Sequence, residues 1–205
     1  MSNEKVLTIK ETFELAVKNH REGKTDIAQE LYNQTLKINP SHSQALNNLG
    51  MIFKGLGENQ KAKDCFEKSI EINPNYADAY NNLGMIFKGL GENQKTKKCF
   101  EKSIEVDPNY VNAHYNLGVI FKELGENQKA KKCYEKVIEL NPNYAVAHYN
   151  LGVIFKELGE NQKAKKCYEK VIELNPNYAV AHYNLGVIFK ELEENQKAKE
   201  CYEKA

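Results

Sequence analysis

One residue sets the frame for the whole chain: Pro40, Pro74, Pro108, Pro142 and Pro176 recur at a constant step of 34 residues. Coiled-coil patterns repeat on a far shorter period, whereas this one has room for two helices and the turns that join them. The same letters return inside each copy, as in Asn48-Leu49-Gly50 and Asn150-Leu151-Gly152. The chain is therefore an array of stacked two-helix units.

The copy from Ala145 to Tyr178 reads clearly. Ala147, Leu151, Ile154, Phe155 and Leu158 fall at three- and four-residue steps, which predicts a helix with one apolar face. Gly159 follows the last of them and closes the helix, because glycine enters the left-handed region without strain. Gly57, Gly91 and Gly125 stand in the same place. In the last copy Glu193 takes that place, and a Cβ there costs on the order of 1 kcal/mol, so a looser or shifted turn is expected. A second helix is predicted from about Asn161 to Glu173, with Ala164, Cys167, Tyr168, Val171 and Ile172 on its apolar stripe and Asn175-Pro176-Asn177 ending it. Gly152 and Ala164 let the two helices approach closely. Thr96 replaces the alanine of Ala62, Ala130, Ala164 and Ala198, and poorer packing is expected there.

Residues Glu11 to Pro40 follow the plan with weaker identity, as an end cap does. Ala205 falls inside a second helix, ahead of the Asn-Pro turn, which suggests a piece of a longer protein or copies stacked end to end.

No apolar run is long enough to cross a bilayer, so no membrane role is expected. Lysines and arginines number 29 against 28 acids, leaving no global field to gather phosphates, and nucleic acid is not an expected partner. Met1 to Lys10 carries no basic leader followed by an apolar stretch, and a cytoplasmic setting is the default. The cysteines Cys65, Cys99, Cys133, Cys167 and Cys201 form one column, as do His114, His148 and His182. Matching side chains of neighbouring helices lie about 8 to 10 Å apart, beyond a disulfide or a shared zinc. Buried thiols and packing histidines are the expectation. With no phosphate-cradling glycine loop, no nucleophile beside a base and no metal-ligand spacing, neither catalysis nor a cofactor is expected.

The residues His148-Tyr149-Asn150-Leu151-Gly152, Phe155, Gly159, Ala164, Tyr168 and Pro176 together resemble the tetratricopeptide repeat pattern. The resemblance covers residues 9–205 as copies at about 9–42, 43–76, 77–110, 111–144, 145–178 and a shortened 179–205, with 1–8 as a tail or helix extension. It implies an all-α fold, a right-handed α–α superhelix or solenoid of helical hairpins. It also implies a groove lined by the first helices and a peptide or protein as partner.

The residues point to the same face. At about 100° per residue, Val146, Tyr149, Asn150, Lys156 and Glu157 fall within roughly 60° of Val153, opposite the packing stripe. Asparagine is a poor helix former, so its return at Asn48, Asn82, Asn116, Asn150 and Asn184 needs a tertiary reason. Such amides both donate and accept, and a row of them matches the backbone of an extended peptide. The row resembles the asparagine ladder of O-linked N-acetylglucosamine transferases, which implies that substrate polypeptides would be held this way. Tyr115, Tyr149 and Tyr183 stand beside three of the asparagines, and a lysine column including Lys122, Lys156 and Lys190 borders the face, suited to an acidic peptide or a terminal carboxylate. The residues that a chaperone-type carboxylate clamp requires are replaced here by Asn47, Asn81, Tyr115 and Met51. The expectation is a non-catalytic interaction scaffold. Alternatives are the substrate-recruiting arm of a larger modifying enzyme, such as a glycosyltransferase, and an array that associates with itself through its uncapped end.

Overall fold

The computed structural model describes residues 7–205, so the anticipated tail at 1–8 lies for the most part outside the described residues. Twelve helices and no strand occur among them. The chain divides after Tyr110 into two units. The first holds α1 (Ile9–Arg21), α2 (Thr25–Ile38), α3 (Ser43–Gly55), α4 (Asn59–Ile72), α5 (Ala77–Gly89) and α6 (Asn93–Val106). The second holds α7 (Val111–Glu123), α8 (Asn127–Leu140), α9 (Ala145–Glu157), α10 (Asn161–Leu174), α11 (Ala179–Glu191) and α12 (Asn195–Glu203). Within each unit every odd-numbered helix packs on the even one after it, and each hairpin packs on the next. This is the fold of a helical solenoid.

Close approach inside each hairpin depends on a missing side chain. A Cβ on Gly152 would stand 2.7 Å from Cε1 of Tyr168 and 3.1 Å from Cβ of Cys167. Gly50, Gly84, Gly118 and Gly186 face the aromatic ring of their own second helix in the same way. Around this contact the core repeats, with Ala147, Ile154, Ala164, Tyr168 and Val171 all essentially inaccessible. Phe155 lies under the Nζ groups of Lys131 and Lys163, at 4.9 and 5.4 Å from the ring centroid, so lysine stems close the rim of the core.

Both turn types follow from local chemistry. After each first helix the left-handed residue leads into a bond that spans the turn, as in Glu160 N–H to Phe155 C=O at 2.8 Å. Glu193 does not shift this turn. It adopts φ 61°, and Glu194 N–H still reaches Phe189 C=O at 2.8 Å. The expected loosening is thus overturned: the helix-closing bonds on either side outweigh the strain at one Cβ. After α2, α4, α6, α8 and α10 an asparagine or aspartate turns on itself, with Asn73 Oδ1 accepting from Asn75 N–H at 3.1 Å and Asp107 Oδ1 from Asn109 N–H at 2.9 Å.

Thr96 also differs from expectation. It is fully buried, and its hydroxyl donates to the Glu92 carbonyl one turn back at 3.1 Å, so the extra polar group is satisfied. The histidine column does pack: Nε2 of His148 donates to the Pro142 carbonyl and Nε2 of His182 to the Pro176 carbonyl, both at 2.9 Å. All five cysteines are free thiols, with Cys133, Cys167 and Cys201 buried and Cys65 and Cys99 half-buried.

Candidate functional site

The asparagine column, Asn48, Asn82, Asn116, Asn150 and Asn184, is half-buried throughout. In the first unit its amides join a relay that runs in one direction. Asn82 Nδ2 donates to Asn47 Oδ1 at 3.0 Å, Asn47 Nδ2 to Asn48 Oδ1 at 3.3 Å, and Asn48 Nδ2 to the Tyr32 hydroxyl at 3.2 Å. Each donor polarises the next, which orients the Asn47, Asn48 and Asn82 amides of the relay. In the second unit Asn184 donates to the Tyr149 hydroxyl at 3.3 Å. Burial raises the pKa of Tyr32, so its hydroxyl stays a neutral partner.

Two partners of the column were missed in the sequence. Tyr32 anchors Asn48, but the second-helix aromatic of the next copy is Phe66, without a hydroxyl, and Asn82 turns to Asn47 instead. The exchange of tyrosine for phenylalanine in step with the neighbouring asparagines was the available signal.

The tyrosines beside the asparagines form a seam of rings. Tyr115 packs between Tyr134 at 6.0 Å and Tyr144 at 5.3 Å, and Tyr149 between Tyr168 at 6.0 Å and Tyr178 at 5.5 Å, in tilted geometry. Among the described residues Tyr183 has one ring neighbour, Tyr202, at 5.8 Å, and it is 55% exposed. The valines of the face divide: Val146 and Val180 are exposed, while Val119, Val153 and Val187 are half-buried.

The lysine border is more occupied than its sequence implied. Lys122 is ion-paired with Glu157 and Lys156 with Glu191. The same carboxylate oxygens accept from Asn127 Nδ2 at 3.1 Å and Asn161 Nδ2 at 3.0 Å. The hydrogen bond from Lys156 holds the Glu191 carboxyl below its usual range. Lys190 is exposed. In the first unit a hollow of about 290 Å³ opens between Val17, His20, Arg21, Tyr32, Asn48 and Met51. Burial lowers the His20 pKa, favouring the neutral ring. Among the described residues no group of three or more His, Cys, Asp or Glu side chains could hold a metal ion, and no helix is long and apolar enough to cross a membrane.

An all-helical array of hairpins with one amide column per copy is the architecture of a repeat solenoid. The tetratricopeptide repeat model matches residues 43–76, 77–110, 111–144 and 145–178, and a second tetratricopeptide repeat model matches 167–200. The chain belongs to the tetratricopeptide repeat family. No curated protein sequence matches it. Among solved structures it is similar to MamA, at 27% identity and a TM-score of 0.68 over 80% of this chain and 96% of that one. It is also similar to YrrB, a repeat protein of the same family described as having an unusual peptide-binding site, at 24% identity and a TM-score of 0.73 over 84% and 89% of the two chains. PilF of Pseudomonas aeruginosa aligns at 18% identity with a TM-score of 0.85 over 94% and 88%.

Proposed function

We propose that this chain is a protein-interaction scaffold that takes an extended polypeptide along the asparagine-bearing faces of its hairpins. The observation that carries the reading is the recurrence of a half-buried amide whose orientation is fixed by a neighbouring hydroxyl or amide. An oriented amide has already lost its rotational freedom, so a peptide backbone that bonds to it meets a smaller entropic cost. One N–H of the Asn48, Asn82 and Asn184 amides serves the protein, and an asparagine side chain has further donor and acceptor capacity for a ligand. Backbone recognition of this kind is tolerant of side-chain sequence, with Tyr115, Tyr149 and Tyr183 adding apolar contact and Lys122, Lys156 and Lys190 adding charge at the border. The family supports a peptide or protein as partner, and YrrB offers a relative of like fold with a peptide site. A reducing compartment such as the cytoplasm suits five free thiols.

The test is capture of partners on the immobilised chain, followed by the same capture with Asn116, Asn150 and Asn184 all changed to alanine. Alanine favours helix, so circular dichroism should report an intact array. Loss of partners with the helical signal retained is the expected result. Undiminished capture would remove the amide column from the reading.

A further inference from the structure

One position of the lysine column, Lys54, differs from its counterparts Lys122 and Lys156. In the second unit, Lys122 and Lys156 each find a carboxylate 35 residues further on, at Glu157 and Glu191. In the first unit, that acidic column holds Gly55 and Gly89, and a Cβ built on either meets nothing within 4 Å. Gly89 is the residue whose register matches Lys54, and α3 and α5 lie side by side. Lys54 is exposed, and among the described residues no carboxylate pairs with it or with Arg21, which holds the acidic column's place in the first copy. Acids near Arg21 are engaged elsewhere: Glu14 with Lys10 at 3.9 Å and Glu22 with Lys24 at 2.7 Å.

We infer that the face of the first unit bearing Arg21, Asn48 and Lys54 is a site for an acidic stretch of polypeptide, whose side-chain carboxylates take the place of the acids that the second unit supplies for itself. This rests on the scaffold reading above and names the chemistry of its partner. The hollow beside Arg21 offers donors to such a group in the guanidinium and the Asn48 amide. Burial lowers the His20 pKa and so disfavours a positive ring there, and its Nδ1 lies 3.4 Å from the Tyr32 hydroxyl. A nucleic acid is the poorer fit. Tyr32 is fully buried and Phe13 stacks on His42 at 4.5 Å, so the hollow presents no aromatic platform for a base.

The experiment is fluorescence polarisation of the full chain with a labelled glutamate-rich peptide, amidated at its C-terminus, against its glutamine twin. Amidation removes the terminal carboxylate, so any preference belongs to side chains. Gly89→Glu builds the missing partner for Lys54 where Glu157 stands for Lys122, with Asn59 in the position of Asn127. The native chain should prefer the glutamate peptide, and salt should erase the preference. Gly89→Glu and Arg21→Ala should each weaken that peptide about two- to five-fold and leave the glutamine twin unchanged. Equal affinity for both peptides, an unaffected Gly89→Glu variant, or tighter binding of a labelled single-stranded oligonucleotide would each overturn the inference. If the glutamine twin binds and is lost when Asn48 and Asn82 become alanine, but no glutamate preference exists, the charge reading fails and the scaffold reading stands. Binding of neither peptide would sink both.

Discussion

Changing Gly152 to alanine tests whether hairpin closure depends on the missing side chain. The new methyl would meet Tyr168 Cε1 at 2.7 Å, Tyr168 Cδ1 at 3.0 Å and Cys167 Cβ at 3.1 Å. Carbon atoms settle at about 3.5 to 4.0 Å, so the ring must retreat by most of an ångström. Overpacking of this kind costs about 1 to 3 kcal/mol, while glycine to alanine inside a helix returns about 1 kcal/mol. The net expectation is a loss of about 0 to 2 kcal/mol. Ala16 occupies the same column opposite Tyr32 and is fully buried, so one hairpin of this chain already accommodates the methyl. That precedent favours the lower half of the range. Gly89 is the matched control: it is also helical, but its Cβ would enter open space, and Gly89→Ala should stabilise by up to about 1 kcal/mol. Urea unfolding followed by circular dichroism measures both, and hydrogen exchange at the α9 and α10 amides reads the first locally. A double-mutant cycle with Tyr168→Leu assigns the cause, with a coupling of about 0.5 to 3 kcal/mol expected. If Gly152→Ala stabilises as much as Gly89→Ala, or if the cycle is additive, the ring is not the obstacle.

Three further outcomes are expected. Glu193→Gly should raise stability by about 1 kcal/mol in a urea melt, since φ 61° then carries no Cβ strain. Ser103→Val should cost no more than about 1 kcal/mol by the same assay, because the lost bond from its hydroxyl to the Ala77 carbonyl, 2.9 Å, is offset by apolar packing of the kind Val171 provides. Burial pushes the thiols of Cys65, Cys99 and Cys167 up to about 11, so iodoacetamide should label the folded chain at neutral pH at least about tenfold more slowly than the urea-unfolded chain. The same shifts predict stability that is complete below the unfolded thiol pKa and falls as pH climbs from there towards about 11, because the unfolded chain releases its thiol protons first. Thermal melts across that alkaline range would read the slope, and a flat profile would refute it.

The hairpins were legible because period, glycine and proline act locally. Gly159 ends a helix for reasons contained within a few residues, and so does Asn175. What escaped the sequence lies between copies. Lys122 finds Glu157 and Asn82 finds Asn47 only once helices are laid side by side, and no local preference encodes that distance. Glu193 and Thr96 were misjudged for a related reason. A propensity of about 1 kcal/mol is small beside the fixed frame of a turn or a buried hairpin seam, which imposes its geometry on whichever residue is present. The asparagine column could be read as a row but not as a relay, because its partners are buried side chains of other helices.

The reach of the ties described above has a consequence for how the chain acquires its structure. Ser103 to Ala77 spans 26 residues, and Asn82 to Asn47 and Lys156 to Glu191 span 35, so each bond joins a hairpin to itself or to its neighbour. Contacts this close in sequence incur little loop-closure entropy and favour fast folding. A growing polypeptide leaving the ribosome would need only one more hairpin before the last one is covered, so within each unit order can spread behind synthesis from the N-terminus onward.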